Sequence, residues 1–514
     1  MNLPEALYSA TQVRELDRMA IAEHGIPGLE LMRRAGTVAF LLLRLHFPRA
    51  RRIAVVCGPG NNGGDGFVLA RLAHEAGMRT QVMSVGEASS AKGDAAAARK
   101  SCKAAGVAIR KFDTSLLTES DLVVDALLGT GLECEVEGEW RVAIEAINRS
   151  RLPVLALDLP SGLQADTGQV MGVAVHAQAT ISFIGLKAGL FTGAGREQAG
   201  EIFFDDLAVP SDIYAKLIPF AHRLTERSLQ GVLPKRLRHA HKGNAGHVLV
   251  IGGDKGMPGA ARLAGEAAYR AGAGLVTLAT HPDHAALVNV SRPELIVHGV
   301  ASALELRPLV KRADVIALGP GLGQGEWGRA LLSAAHETGL PMVVDADGLN
   351  CLAADPLMRD NWILTPHPGE AARLLGMTVA EVQADRFTAA HEITASFGGV
   401  CVLKGSGTLI ASFNMARRAS VASRATLYDG LVEVCDRGNP GMASGGMGDV
   451  LTGVLAALIA QGMDIKKAAR LGVWAHSVAG DEAAAAGGKI GLLASDLLPY
   501  IRAHLSRLVD YAGH

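Results

Sequence analysis

Short apolar runs recur along this chain at helix-length intervals, in two series. That rhythm narrows the possible folds more than any other feature. The first series runs "RIAVVC", "TQVMSV", "DLVVDALL", "PVLALDLP" and "ATISFIG", with "EIFFDDLAVP" reading as a closing edge strand. The second runs "GHVLVIGG", "GLVTLAT", "ADVIALGPG", "PMVVDADG", "NWILTPH" and "GVCVLKGSGTLIA". Short, nearly continuous apolar runs suit strands buried on both faces, and the intervals are long enough for crossover helices. Two parallel sheets with helices on both faces are therefore expected. Amphipathic helices precede the first series: "QVRELDRMAIAEHG", with Ser9 or Thr11 as its cap, and "GLELMRRAGTVAFLLLRLHF" after Pro27. Residues 211 to 240 are polar, basic and read as strandless, so the boundary is placed near residue 220, with domains over 1–218 and 222–514. The two halves differ in motif, which argues against an internal repeat.

Composition closes off several function classes. The 514 residues are 49 % hydrophobic but only 4 % aromatic, so the cores must be built from Leu, Val, Ile and Ala. The net charge is -1, from 50 basic and 51 acidic residues with no long single-sign run, which argues against a nucleic-acid or membrane-surface partner. There is no uncharged apolar stretch of about 18 residues to span a membrane. The N-terminus carries charges where a signal peptide needs an apolar segment. Cys57, Cys102, Cys134, Cys351, Cys401 and Cys435 are scattered without a C-x-x-C pair, as in a reducing compartment and unlike a structural zinc site. A soluble cytoplasmic protein is the expectation.

"CGPGNNGGDGF" follows the first strand-like run and precedes a helical stretch. Gly58, Gly60 and Gly63 fit G-x-G-x-x-G, in which glycines let backbone approach a phosphate at a helix N-terminus. A plain tight turn has the same pattern. A dinucleotide-binding turn also expects an acid about 20 residues on; Glu87 is roughly there and decides nothing. Asn61, Asn62 and Asp65 add side-chain oxygens that a backbone cradle does not need. "VVDALLGTGL" and "LALDLPSGL" place Asp125, Asp158 and Ser161 at two further strand ends, where ligands of open α/β sheets sit. Asn62, Asp125 and Ser161 can converge as hard oxygen ligands for a cation, leaving Asp158 for acid–base work. An Asp at a strand end also serves as a helix cap.

"GPGNNGGDGFVLAR", "DALLGTGL", "DLPSG" and "FIGLKAGLFTG" resemble the YjeF N-terminal family of NAD(P)H-hydrate epimerases, over roughly residues 10 to 210. The resemblance implies a Rossmann-like fold and a substrate, NADHX or NADPHX, that is a reduced nicotinamide cofactor damaged by addition of water. It implies that Asn61, Asn62, Gly63, Gly64 and Asp65 hold that substrate together with Gly129, Thr130, Gly131, Leu132, Glu133, Cys134 and Glu135. It further implies that Asn62, Asp125 and Ser161 ligate potassium and that Asp158 contacts the reactive end.

The second half lacks G-x-x-x-x-G-K-[ST], which excludes a P-loop. "GNPGMASGGMGDVLTG" places Gly445, Gly446 and Gly448 before a helix expected to start at Asp449 or just after it. Backbone N–H groups there can hold an anion, with Asp449 beside them as a general base or merely as an N-cap. Lys404 in "VLKGSGTLI" suits a nucleotide phosphate, or is a solvated lysine in a hairpin turn. His367 in "ILTPHPGE" lies between two prolines, a stiff setting that a structural His also occupies.

These segments, with "HKGNAGHVLVIGGD", "LGPGLG" and "VVDADGLN", resemble the ribokinase-like ADP/ATP-dependent NAD(P)H-hydrate dehydratases over roughly residues 225 to 510. The resemblance implies that Lys404, Gly405, Ser406, Gly407, Thr408 and Gly448 hold the adenine nucleotide with Mg²⁺. It implies that Ala260, Gly321, His367 and Asp449 contact the hydrate. Residues 412 to 437, Ala/Ser/Arg-rich, are longer than the family's usual link and read as a flexible surface insertion. Both resemblances together imply a bifunctional repair enzyme, acting on NADHX, NADPHX and ADP, and a homo-oligomer. The alternative is a vitamin-precursor kinase fused to a non-catalytic ligand-binding scaffold.

Overall fold

The computed structural model describes residues 3–86, 92–236, 238–412 and 432–511. Glu87 and residues 413–431 lie outside them. The chain divides into two compact units, Met1–His222 and Arg223–His514.

In the first unit, strand β1 (Ala6–Tyr8) precedes a helix, Ala10–Ala22, capped by Ser9 with Gln12 closing the capping box. A second helix, Gly28–His46, follows Pro27. The sheet is built from β2 (Arg52–Cys57), β3 (Arg79–Ser84), β4 (Ala108–Lys111), β5 (Leu122–Ala126), β6 (Val154–Leu157), β7 (Ala179–Phe183) and, beyond the two-residue β8 (Leu186–Lys187), β9 (Glu201–Asp205). The order β4-β3-β2-β5-β6-β7-β9 is parallel throughout. Along β2 the side chains alternate between two cores. Ile53, Val55 and Cys57 enter one, and Ala54 and Val56 the other. Burial on both faces is why the run reads as continuously apolar. The chain order reverses between β2 and β5, and a crevice opens at the carboxyl ends of such a pair. β9 takes the edge, as "EIFFDD" suggested. β1 pairs with β8 in parallel and with Ala221 and His222 of β10 (Ala221–Arg223) antiparallel. The stretch read as strandless therefore contains a strand, too short for any periodicity to announce it.

The second unit opens on β11 (His247–Ile251), β12 (Leu275–Thr280) and β13 (Ile296–Gly299). It continues through β14 (Val315–Leu318), β15 (Met342–Val344), β16 (Trp362–Leu364), β17 (Val400–Leu403), β18 (Thr408–Ser412) and β19 (Val432–Cys435). From β13 the order runs β12, β11, β14, β15, β16 and β17, all parallel, and ends in antiparallel β18 and β19. The same reversal recurs, here between β11 and β14. Helices Pro258–Arg270, Met447–Ala460, Ile465–Gly487 and Leu497–Tyr511 contribute to the core on one face. For Ser412, the last residue of β18, and for β19 the structure corrects the reading of 412 to 437 as a surface insertion; the stretch between them, 413–431, lies outside the described residues. Val432, Val434 and Cys435 are buried, and Glu433 pairs with Arg470 at 2.8 Å. The period-2 alternation V-E-V-C was the available signal. No helix among the described residues is long and apolar enough to cross a membrane.

Candidate active sites

In the first unit, Gly60 caps the helix Asn61–Glu75, so Asn61, Asn62, Gly63, Gly64 and Asp65 form its first turns rather than a loop ahead of it. The glycines mostly serve packing. A Cβ on Gly58 would lie 2.0 Å from Leu127 O, and one on Gly63 2.0 Å from Gly58 O. Only Gly60 of the three G-x-G-x-x-G positions faces open space. The turn is thus drawn tight against the end of β5.

That packing shapes a cavity of about 590 Å³ at the carboxyl ends of β2, β5 and β6. Asn61, Asn62, Asp65, Gly129, Thr130, Gly131, Leu132, Glu133, Cys134 and Asp158 line it; Gly63, Gly64 and Glu135 do not. Asp125 is fully buried below it. Its carboxylate accepts Ser161 Oγ–H at 2.6 Å and Ser161 N–H at 2.8 Å. Burial pushes the Asp125 carboxyl up to about 6, against the pull of these hydrogen bonds. Asn62 donates to Leu128 O at 3.0 Å, and Leu128 N–H donates to Ser161 Oγ at 2.8 Å. Asn62, Asp125 and Ser161 thus belong to one polar cluster. Asn62 Oδ1 is buried and has no hydrogen-bond partner among the described residues.

Asp158 stands at the end of β6 with φ of 67°, a left-handed conformation costing a non-glycine residue about 1–3 kcal/mol. Lys187, from β8, is almost fully buried and ion-pairs with Asp158 Oδ1. It also donates to Ser182 Oγ at 3.2 Å and Phe183 O at 3.0 Å. Asp17, from the first helix, lines the same cavity. The sequence reading missed Lys187 and Asp17. Lys187 had a signal, a lysine within an otherwise apolar "FIGLKAGL"; Asp17 had none, sitting in an ordinary amphipathic helix.

The second site forms around Lys404, in the hairpin turn between β17 and β18. This lysine, its side chain 21 % exposed, is ion-paired rather than free in solvent. Its Nζ lies 2.6 Å from Asp345 Oδ1 and 3.7 Å from Glu370 Oε2. Burial raises the Asp345 carboxyl, but Lys404 and the Thr452 hydroxyl, at 3.0 Å, outweigh it and hold it below the ordinary carboxylate range. Arg386, buried at the start of its helix, shapes the turn by donating to the carbonyls of Leu403, Lys404 and Gly407 at 3.3 Å each. Gly405, Ser406 and Thr408 complete the turn.

Gly446 caps the helix Met447–Ala460 at φ 89°. The helix thus starts earlier than expected: Gly448 and Asp449 lie in its first turn, and Asp449 is not the N-cap. A Cβ on Gly448 would come within 2.9 Å of Asp345 Oδ2 and 3.2 Å of Lys404 Nζ. Burial, and then the like charge of Asp345, raise the Asp449 carboxyl to about 6. His367 caps the helix Pro368–Leu375, and Glu370 closes the capping box with His367 N–H at 2.7 Å. Glu370 thereby links His367 to Lys404. Ala260 and Gly321 meet across the β11–β14 reversal, where a Cβ on Gly321 would lie 3.2 Å from that of Ala260. Asp345, Glu370, Arg386 and Thr452 were not read as site residues. Asp345 and Glu370 lay in quoted motifs, and only the fold shows that both face Lys404.

An α/β chain with one polar cavity at a sheet reversal, and a carboxylate–lysine cluster beside a Gly-capped helix, has two places for small-molecule chemistry. Residues 28–189 match the model for the YjeF-related protein N-terminus, and residues 248–503 that for NAD(P)H-hydrate dehydratase. The bifunctional NAD(P)H-hydrate repair enzyme Nnr of Coxiella burnetii is 48 % identical over 96 % of this chain and 98 % of its own. That of Escherichia coli is 41 % identical over 100 % of this chain and 96 % of its own. The solved ADP/ATP-dependent NAD(P)H-hydrate dehydratase from Bacillus subtilis aligns with 56 % of this chain and 98 % of its own, at 29 % identity and a TM-score of 0.47. The chain belongs to the family of bifunctional NAD(P)H-hydrate repair enzymes. The kinase-plus-scaffold alternative is not favoured.

Proposed function

We propose that the first unit interconverts the R and S epimers of hydrated NADH and NADPH, and that the second dehydrates the S form with ADP. The observation that carries this reading is the presence of both sites in one chain that matches bifunctional repair enzymes over nearly its whole length. The coupling is chemically sensible, because dehydrating one epimer alone would strand the other.

In the second unit Asp449 takes the proton of the hydrate's hydroxyl as its oxygen attacks the terminal phosphorus of ADP, and AMP leaves. Phosphate then departs with the electrons of the carbon–oxygen bond. The adjacent carbon loses a proton, and the ring double bond is restored. A carboxyl near 6 is mostly ionised at neutral pH, as a general base must be. Lys404, Gly405, Ser406, Gly407, Thr408 and Gly448 hold the nucleotide; Ala260, Gly321 and His367 hold the hydrate. Mg²⁺ would come with the nucleotide phosphates and neutralise their charge, with the carboxylates around Lys404 within the same cluster.

In the first unit the orphaned Asn62 Oδ1, with Asp125 and Ser161, fits potassium. One carboxylate and neutral oxygens suit a monovalent ion better than a divalent one. The cavity residues Asn61, Asn62 and Asp65, with those from Gly129 to Cys134, hold the hydrate around it. Homo-oligomerisation is part of this reading; exposed Leu41 and Leu45, one turn apart on the helix Gly28–His46, are surface that a second copy would cover.

The test supplies mixed NADHX epimers and ADP and follows NADH absorbance. Both epimers should be recovered. With potassium replaced by a large organic cation, or with Asp125→Ala, recovery should stall at the S fraction. Absence of any recovery would refute the dehydratase reading. Full recovery without potassium would refute the ion assignment.

A further inference from the structure

Among the charged groups that line the first cavity, which include Asp94, Glu133 and Arg14, the carboxyls of Asp17, Asp65 and Asp158 share the field of the Lys187 ammonium. Lys187 cannot serve all three. Its three protons go to Asp158 Oδ1, Ser182 Oγ and Phe183 O. Asp158 Oδ1 is thereby committed, whereas its Oδ2 makes no protein hydrogen bond among the described residues. Asp17 makes no hydrogen bond and no ion pair there either, although it is half-buried and borders the cavity. A carboxyl left without a protein partner, next to two others, is positioned to hold a proton and to meet a ligand.

We propose that Asp17 and Asp158 are the acid and the base of epimerisation, acting on opposite faces of the reacting carbon, with Lys187 as the positioning residue that fixes Asp158. This rests on the epimerase reading of the cavity. Water added to an enamine double bond leaves its hydroxyl on the carbon next to the ring nitrogen. Inverting that carbon requires the oxygen to leave one face and return on the other. Asp17 gives its proton to the hydroxyl oxygen, and the carbon–oxygen bond breaks. The nitrogen lone pair forms a carbon–nitrogen double bond, and water departs. A water on the other face then adds to the carbon, the double-bond electrons return to nitrogen, and Asp158 Oδ2 takes the proton. Solvent carries that proton back to Asp17, so nothing is consumed.

The surroundings favour the protonated form of Asp17, as a general acid requires. Burial, and then the charge of Asp158 against the pull of Lys187, raise Asp17 to about 6. Burial first, and then Asp158 and Asp17, push Asp65 well above the carboxylate range, which makes it too reluctant a donor. Asp17 is near enough to neutrality to give up its proton at working pH. Asp65, Asp158, Lys187 and Tyr214 are the titratable groups whose fields it shares, with Arg14 on its own helix and Asp94, Glu133 and Cys134 from other elements also at the cavity.

The experiment measures interconversion of R and S NADHX by the full chain without ADP, for the wild type, Asp17→Asn and Lys187→Arg. Asp17→Asn should lower kcat about 10²–10⁴-fold while KM stays within about threefold. Wild-type kcat should fall as pH rises through about 6, where the acid form is lost, and the variant should lack that limb. Lys187→Arg should retain part of kcat, because a cation still holds Asp158. In ¹⁸O-labelled water each inversion should bring in one solvent oxygen. Near-normal kcat in Asp17→Asn, a loss confined to KM, or inversion with retention of the original oxygen would each overturn the proposal. Thermal unfolding of Asp17→Asn should not drop, since one like charge is removed; a large drop would mark Asp17 as structural and also overturn it. If the wild type itself does not interconvert the epimers, the epimerase reading falls and takes this inference with it.

Discussion

Asp449 shows how much one carboxyl's surroundings decide. It sits in a first helical turn that favours negative charge, yet burial and Asp345 raise it to about 6. As the proposed base it must be ionised, so the rate of dehydration should climb as pH rises through about 6 and level off above. Asn at 449 keeps the size but cannot accept the hydroxyl proton. Asp449→Asn should therefore lower dehydration by about 10²–10⁴-fold and abolish that pH limb. ADP binding should change little, because the turn from Lys404 to Thr408 is untouched. Steady-state kinetics and calorimetric titration with ADP on the one variant decide it. A joint loss of ADP binding and turnover would point to a structural role for the whole Gly-rich turn.

Among the elements, the helix Met447–Ala460 is placed by what its glycines exclude. Gly448 is held against Asp345 and Lys404 so closely that an added methyl would lie 2.9 Å from Asp345 Oδ2. Something must then move, and the group nearest is a buried ion pair with little room. Gly448→Ala should cut dehydration by at least about 10-fold, roughly 1.4 kcal/mol in the barrier. Gly445→Ala should leave it unchanged, because nothing lies within 4 Å of a Cβ there. Equal rates for the two variants would show that the helix does not depend on that contact. Both glycines look alike in "SGGMGD"; only the tertiary neighbours separate them.

For the whole molecule, each unit has its own core, and the residues named at each site come from one unit. We expect a chain of residues 1–222 to epimerise and one of residues 223–514 to dehydrate only the S form. The cut belongs at 222 rather than at 218, because Ala221 and His222 pair with β1. Assays of the two pieces, alone and mixed, check this. Two insoluble or inactive pieces from an active whole would refute it.

The edge strands β4 and β13, mostly exposed, lacked an apolar run and went unread, but the other strands of both parallel sheets, the edge position of β9 and the chemistry-bearing turns were legible in the sequence. Their signals are local: a run of apolar residues, a glycine cluster, an Asp at a strand end. The short strands β1, β8 and β10 were not, because two or three residues carry no period. β19 had a period, but its Ala/Ser/Arg-rich approach masked it. Within the sites, Asn62, Asp125, Asp158, Lys404 and Asp449 stood out by residue type and spacing. Their partners did not. Lys187 reaches Asp158 across 29 positions of chain, and Lys404 reaches Asp345 across 59. Asp17 reaches its cavity only because the first helix packs beside the sheet. Periodicity reports what a residue does for its own element. Which charge faces which, and therefore which carboxyl holds a proton, depends on burial and on neighbours that only the folded chain brings together.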